Sequence, residues 1–402
     1  MCSTETKNYR LYSSQAEISS PQKWAEIDLS ALRFNYSALR ARLRERSPRA
    51  RMIAVVKADA YGHGAPACVR TLLLEGCDFF AVSCIEEAIP IRKICDEMGS
   101  FADVLIFGYT EPSMAETLCA YRLTQTLLSP EYASHLALEA EMRGVTVSSH
   151  VAIDTGMNRI GFPAYNEDEI CASVEQLLYI GECRGLKITG MMTHFAQADE
   201  MDAVGTRTTR LQTERYLHFR ESLERKGMFI PFHHISNSAA FAGGEVPILD
   251  GVRIGISLYG AQPSLQKEMH LVPVMWLKAK ISHIHTLLPG ECVGYGGEFS
   301  AETERKIAVL SIGYADGFLR AYSGAEVVVH TVTGAYRSPI VGRICMDQCM
   351  IDITDTDAAV GDVATLFGGD GVFANALAEY SGSIDYETLC LISSRVMRCY
   401  KE

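Results

Sequence analysis

Between residues 50 and 260, short apolar, β-branched runs return at regular intervals, and this alternation constrains the fold more than any other feature of the chain. The runs are MIAVV (52–56), FFAVS (79–83), VLIFG (104–108), LTQTLL (123–128), VSSHVAI (147–153), KITGMM (187–192), FHHIS (232–236) and VRIGISLYG (252–260). Longer amphipathic stretches such as APACVRTLLLEG, EEAIPIRKICDEM and TTRLQTERYLHFRESLERKG lie between them. Near-continuous apolar strands alternating with helices suit a parallel sheet covered on both faces. Eight such strands predict an α/β fold, a (β/α)8 TIM-like barrel. A doubly wound open sheet is the other topology, because periodicity does not show closure. Near residue 265 the rhythm breaks. MWLKAKISHIHTLL, KIAVLSIGYA, EVVVHTV, SPIVGRI, QCMIDIT and DVATLFG follow, separated by turns bearing Gly, Pro and Asp. The expected domains are a polar lead-in over 1–23, a barrel over 24–265 and a mostly β domain over 266–402. The strand-like WAEIDLS (24–30) falls outside the barrel count and is a candidate to pair with the second domain.

A net charge of -12 argues against nucleic acid or an anionic membrane as a main partner. It leaves room for a small anionic cofactor, which responds to the local field. The 13 cysteines show no C-x-x-C pair. Cys345 and Cys349 flank C-M-D-Q-C without a second ligand pair, so no metal site is expected. Reduced, mostly buried thiols in a cytoplasmic protein fit this pattern. No apolar leader and no run long enough to span a membrane is read.

In such a barrel, working residues sit at the C-terminal ends of strands. Strand one runs into Lys57 and A-D-A-Y-G-H-G, strand three ends at Tyr109, and strand five runs into D-T-G-M-N-R with Arg159. Strand six runs into Thr193 and His194, strand seven ends in N-S-A-A with Ser238, and strand eight carries Arg253 and Gly255. Lys57 follows five apolar residues, where an ammonium group is costly to desolvate. Burial there would yield the free amine that covalent catalysis needs. A lysine that merely snorkels to solvent is the other reading. Ser238 and Gly255 offer a hydroxyl and an open backbone amide for a phosphate. N-S-A-A could equally cap a helix.

A-V-V-K-A-D-A-Y-G-H-G at 54–64 resembles the cofactor-lysine signature of alanine racemases. W-A-E-I-D-L-S-A-L before it and I-D-T-G-M-N-R-I-G, T-H-F-A-Q-A-D, S-N-S-A-A, V-R-I-G-I-S-L-Y-G, V-G-Y-G, I-G-Y-A-D-G and V-G-R-I-C-M-D-Q after it fall in that family's order, over roughly residues 24 to 398. The resemblance implies pyridoxal 5'-phosphate held by Lys57, which also serves as the base on one face of the substrate. It implies phosphate contacts from Tyr61, Ser238, Gly255 and Ile256. Arg253 would face the pyridine nitrogen, with His194 bonded to it and His234 beside the ring. Tyr295 in V-G-Y-G would be the second base, supplied by the other subunit of a homodimer. Arg159 would sit near that tyrosine and the substrate carboxylate. Met346 and Asp347 would line the substrate pocket, and Tyr314 the path into it. Tyrosine is a weak base at neutral pH, so the cation of Arg159 is expected to stabilise its phenolate. An always-charged Arg253 would leave the pyridine nitrogen unprotonated, weakening the electron sink and disfavouring transamination.

Two positions depart from the family's pattern. Ala152 stands where a carboxylated lysine often holds the arginine, so Arg159 needs another anion. Ser394 replaces a phosphate-contacting tyrosine, which suggests a roomier pocket that takes serine as well as alanine. The implied activity is two-base racemisation of L-alanine for cell-wall precursors, with serine or broad-specificity racemisation as the alternative. A related decarboxylase would need a catalytic Cys followed by an acidic motif, which is not found. A non-catalytic cofactor carrier would lack both the β domain and V-G-Y-G.

Overall fold

The computed structural model describes residues 20–200, 202–263 and 269–402. The first 19 residues of the expected lead-in, and the expected boundary at 265–266, lie outside the described residues. Two compact units make up the chain. One is Arg33–Ala60 with Cys68–Leu271, and the other takes the segment up to Leu32, Tyr61–Ala67 and Val272–Glu402.

The first unit is a closed barrel. Its strands are β1 (Arg51–Val55), β2 (Phe79–Val82), β3 (Asp103–Ile106), β4 (Thr124–Leu127), β5 (Val147–Asp154), β6 (Leu186–Met192), β7 (His233–His234) and β8 (Gly251–Ile254). Each pairs in parallel with its neighbours, β8 returns to β1 through Arg253 opposite Ile53, and the ring closes. All eight expected strands form, within two residues at their ends except the last, which stops six residues early. The last is shorter than its apolar run, because Ile256–Tyr259 turns into a 3-10 helix after Gly255. Ile53, Ala54, Phe80, Ala81, Val104 and Leu105 are fully buried, which is why these runs read as apolar without alternation. The covering helices start at side-chain caps. Ser129 accepts from Tyr132 N, Asn166 from Glu169 N and Asp202 from Gly205 N, each cap contributing about 1 kcal/mol.

The second unit is β-rich. Six strands, Met275–Leu287, Arg305–Leu310, Cys349–Asp352, Ala335–Val341, Glu326–His330 and Val363–Phe367, pair in a ring. The long strand Met275–Leu287 shifts register between Ile281 and His283, and this bulge lets one strand serve two partners. Lys23–Asp28 adds to it antiparallel, and Met397–Lys401 pairs in parallel with Lys23–Asp28. The strand expected over 24–30 therefore stops at Asp28. Its carboxylate accepts from Ala31 N at 2.9 Å and starts the helix Leu29–Arg46, which the sequence reading did not assign.

Candidate active site

Strand β1 ends at Val55, and Lys57 opens a turn in which Ala58, Asp59 and Ala60 have φ/ψ of 51/49, 54/47 and 56/49, with Tyr61 at φ 54. Four consecutive non-glycine residues are left-handed, each at a cost of about 1–2 kcal/mol. The turn persists because its ends are held. Ala58 N donates to Glu87 Oε1 at 2.6 Å and Ser83 N to Glu87 Oε2 at 2.8 Å, so one carboxylate ties the ends of β1 and β2 together. Ala60 N closes back on Val56 O at 3.0 Å. Strain of this kind fixes the direction of the lysine at the strand end. Neither the turn nor Glu87 was expected, because Ala-Asp-Ala does not announce positive φ.

Arg253 is buried in the same unit. Its Nη1 donates to His234 Nδ1 (3.1 Å) and His234 O, and its Nη2 donates to Thr193 O (2.7 Å), Ile235 O (2.9 Å) and His194 Nδ1 (3.2 Å). Nε alone makes no hydrogen bond among the described residues. Burial lowers the guanidinium to about 10, with Tyr216 opposing the shift and Arg159 adding to it, so it stays charged at neutral pH. Burial, then Arg253, Arg159 and Lys57, push His194 down to about 3. His150, whose Nδ1 lies 2.9 Å from His234 Nε2, is pushed down to about 3 by burial, then by Arg51 and Arg253. His234 falls well below its ordinary value, by burial first and then Arg253.

These depressed histidines set a pH dependence. In the unfolded chain each titrates near about 6.5, so below that pH the unfolded state binds more protons than the native one. Their contribution is complete above about pH 6.5 and is lost as pH falls toward the native values. Each of His150 and His234 should cost stability at a slope that grows to the order of 1 kcal/mol per pH unit as pH falls well below about 6.5. Thermal melts should show Tm falling steadily between about pH 6.5 and 5, before most carboxylates titrate. A flat Tm over that interval would contradict neutral burial.

At the ends of β7 and β8, Asn237 rather than Ser238 caps the helix Ser238–Gly243, accepting from Ala240 N at 2.9 Å. Ser238 is thereby released from capping. Its Oγ accepts from Gly255 N at 3.0 Å, which leaves the hydroxyl proton to donate. Ile256 opens the following 3-10 helix, whose first amides have no partner within it. The Ser236 and Ser257 hydroxyls are buried without a partner among the described residues. A primary amine, an uncommitted Arg N–H and a hydroxyl beside backbone amides are the donor set that an aldehyde, a pyridine nitrogen and a phosphate require. The residues fit pyridoxal phosphate.

Arg159 is exposed and has no ion pair among the described residues. The loop before it is built by Asp154, whose Oδ1 accepts from Gly156, Met157 and Asn158 N at 3.0–3.1 Å. Ala152 is buried within β5 and supplies no charge. Tyr109 is exposed and its hydroxyl donates to Glu111 at 2.9 Å.

The other unit carries the remaining expected residues. Tyr295 is 71% exposed on a loop where Gly294, Gly296 and Gly297 have φ of 68, 78 and 57. A Cβ on Gly296 would lie 2.9 Å from the Arg343 guanidinium, and Arg343 pairs with Glu298. Arg343 thus supports the loop from below and fastens its end, a function the sequence reading missed. Both partners are partly exposed, so solvent screens the pair and it holds the loop only weakly. Glu298→Ala should lower kcat by no more than about threefold with KM nearly unchanged, as loss of a weak surface pair would. An unchanged kcat in a steady-state assay would show that the pair does not hold the loop.

Tyr314 N and Ala315 N donate to Cys345 O and Met346 O, both at 3.0 Å, so Tyr314 and Met346 share one corner. Arg395 pairs with both Asp347 and the buried Asp316, which also takes Lys23 at 2.7 Å. Asp347 is therefore steered by Arg395. Tyr61 packs at 6.1 Å from the Tyr386 ring, and burial raises its hydroxyl well above its ordinary range. Arg398 donates to the carbonyls of Gly62 (3.0 Å), Val396 (2.8 Å), Ser393 (2.6 Å) and Ile392 (2.6 Å). That one guanidinium fixes the Tyr61 segment to the turn that holds Ser394, an exposed residue.

Residues 27–263 match the family profile described as alanine racemase, N-terminal domain, and residues 274–400 match alanine racemase, C-terminal domain. The chain is 39% identical over 384 residues to alanine racemase 1 of Clostridium acetobutylicum, covering 94% of this chain and 95% of that one. It is equally identical, at 39% over 384 residues, to the alanine racemase of Methanococcus maripaludis, with 94% and 98% covered. Among solved structures it is similar to the alanine racemase of Clostridium difficile 630 (TM-score 0.85, 37% identity, 96% and 97% covered). It is also similar to the alanine racemase of Bacillus anthracis with bound L-Ala-P (TM-score 0.84, 31% identity, 96% of both chains). The chain belongs to the alanine racemase family of pyridoxal-phosphate-dependent enzymes.

Proposed function

We propose that the chain interconverts L- and D-alanine by moving the α-proton between two bases, Lys57 on one face of the substrate and Tyr295 on the other. Bound pyridoxal phosphate supplies the electron-withdrawing ring that acidifies the α-carbon. Lys57 carries the cofactor and holds or returns a proton at Nζ, and the left-handed turn keeps that amine from swinging away. Tyr295 holds the other proton at Oη, so the amino acid need not turn over between removal and return. Arg253 would face the ring nitrogen, and Ser238, Gly255 and Ile256 would hold the phosphate, a role the family's sequence pattern also gives to Tyr61 and Ser394. His194 and His234 stay neutral and orient Arg253. Arg159 faces the substrate carboxylate, and Tyr314, Met346 and Asp347 shape the pocket and its mouth. The observation that carries this reading is Arg253, whose terminal nitrogens are spent on protein acceptors while Nε is not.

Serine or broad-specificity racemisation, drawn from Ala152 and Ser394, is not favoured, since the relatives matched over nearly the whole chain are named for alanine. Nor is the carrier reading, since the second domain is matched as well. The enzyme works as a homodimer in which Tyr295, Tyr314, Met346 and Asp347 of one copy complete the barrel of the other. The exposure of Tyr295 (71%), Met346 (53%) and Tyr314 (41%) supports this. No helix of the described residues is long and apolar enough to cross a membrane. A cytoplasmic place and a role in supplying D-alanine to cell-wall precursors are part of the same proposal. The test is polarimetry of the purified protein on L-alanine and L-serine. Alanine should lose its rotation without CO2 release, with serine far slower. Decarboxylation, or no change in either substrate, would overturn the reading.

A further inference from the structure

The barrel interior holds a polar column that the proton chemistry leaves unused. It runs from Arg253 through His234 to His150, with Arg51 beyond. His234 is fully buried, and Arg253 and His150 are each 4% exposed. The His150 ring stands 5.0 Å from His234, 6.0 Å from Phe79 and 5.9 Å from Phe232. On β6 its place is kept by Gly190, where a Cβ would fall 2.5–2.6 Å from three ring atoms.

Proton positions along the column follow from its top. A guanidinium has only donors, so the two imidazole nitrogens facing Arg253, His234 Nδ1 at 3.1 Å and His194 Nδ1 at 3.2 Å, must both be bare acceptors. The proton of neutral His234 is then on Nε2. That N–H points at His150 Nδ1, 2.9 Å away, which must also be bare. The chain of donation has one direction, from Arg253 to His234 to His150. Arg51 and Arg253, which flank the column, oppose any added proton on it.

We propose that His150 is a positioning residue for Arg253, acting by fixing the tautomer of His234. Without an acceptor at position 150, the buried Nε2–H of His234 is orphaned, and moving its proton to Nδ1 relieves that. The new N–H then meets Arg253 Nη1, and two donors facing each other drive the guanidinium out of its place. The link to the cofactor rests on the role proposed above for Arg253; the tautomer does not.

The first measurement is nitrogen NMR of the wild-type holoenzyme with selectively labelled histidine, with His234 and His150 assigned by loss of signals in His234→Gln and His150→Asn. The proposal expects unprotonated Nδ1 and protonated Nε2 on both rings; a protonated Nδ1 on His234 overturns it. The second compares His150→Asn with His150→Leu. These side chains are isosteric and remove the ring alike, but only Asn keeps an acceptor near the Nδ1 position. In titrations of the apo-protein followed by absorbance, His150→Asn should bind pyridoxal phosphate within about threefold of wild type, and His150→Leu about tenfold or more weaker. Equal weakening in both overturns the proposal. If wild type binds no pyridoxal phosphate, the role of Arg253 fails while the tautomer measurement still decides the His150 link.

Discussion

Alanine in place of Lys57 should remove both the bound-cofactor absorbance and the racemase activity, the latter by more than about 10^4-fold. General acid–base catalysis alone accounts for about 10²–10⁴, and in the proposed mechanism Lys57 also provides the covalent attachment. The fold should survive. The left-handed turn after Lys57 is held through backbone atoms, by Glu87 at Ala58 N and by Val56 O at Ala60 N, and none of these bonds uses the lysine side chain. Tm should therefore stay within a few degrees of wild type in the absence of cofactor, apart from the stabilisation that bound ligand adds by mass action. Added small amines should restore a little proton transfer. Absorbance, polarimetry and melting of one preparation test all of this together. Wild-type levels of tightly held cofactor with activity within about tenfold of wild type would move the catalytic amine elsewhere.

The barrel was legible because its strands are buried on both faces, so β2 and β3 appear in the sequence as apolar runs whatever their loops do; β4, T-Q-T-L, is as buried but polar, and showed only through its β-branched threonines and the leucines around it. The residues at strand ends were legible for the same reason, once each strand could be followed to its C-terminus. Backbone conformation was not legible. Ala58, Asp59 and Ala60 carry no preference for positive φ, and their turn exists because Glu87, distant in sequence, pays for it. Ser238 could be read as a cap because Ser and Asn are both good caps, and only the geometry gives that task to Asn237. His150 looked like one polar residue in V-S-S-H-V-A-I; its partner His234 lies 84 positions away. Glu298 and Arg343 were hidden in the same way, as charges whose pairing depends on the loop geometry of Gly294, Gly296 and Gly297.

Phenylalanine in place of Tyr295 should lower kcat for racemisation by about 10²–10⁴ while leaving KM within a few-fold, since only the proton-bearing oxygen is removed. The loss should be lopsided. Lys57 still exchanges the α-hydrogen of the enantiomer that presents it to that face, so deuterium from solvent should enter one enantiomer of alanine and not the other. Equal loss of exchange from both would mean that Tyr295 is not a base for a single face. Because Tyr295 is exposed, the substitution should not disturb the fold. The same variant decides where its hydroxyl acts. In a symmetric dimer whose sites take Lys57 from one copy and Tyr295 from the other, a hybrid of Lys57→Ala and Tyr295→Phe chains has one intact site of its two. Co-expressed in equal amounts, the two inactive chains give hybrids as half of all dimers, so about a quarter of wild-type activity should return. If Tyr295 serves the barrel of its own chain, every site in the mixture lacks one base and no activity returns.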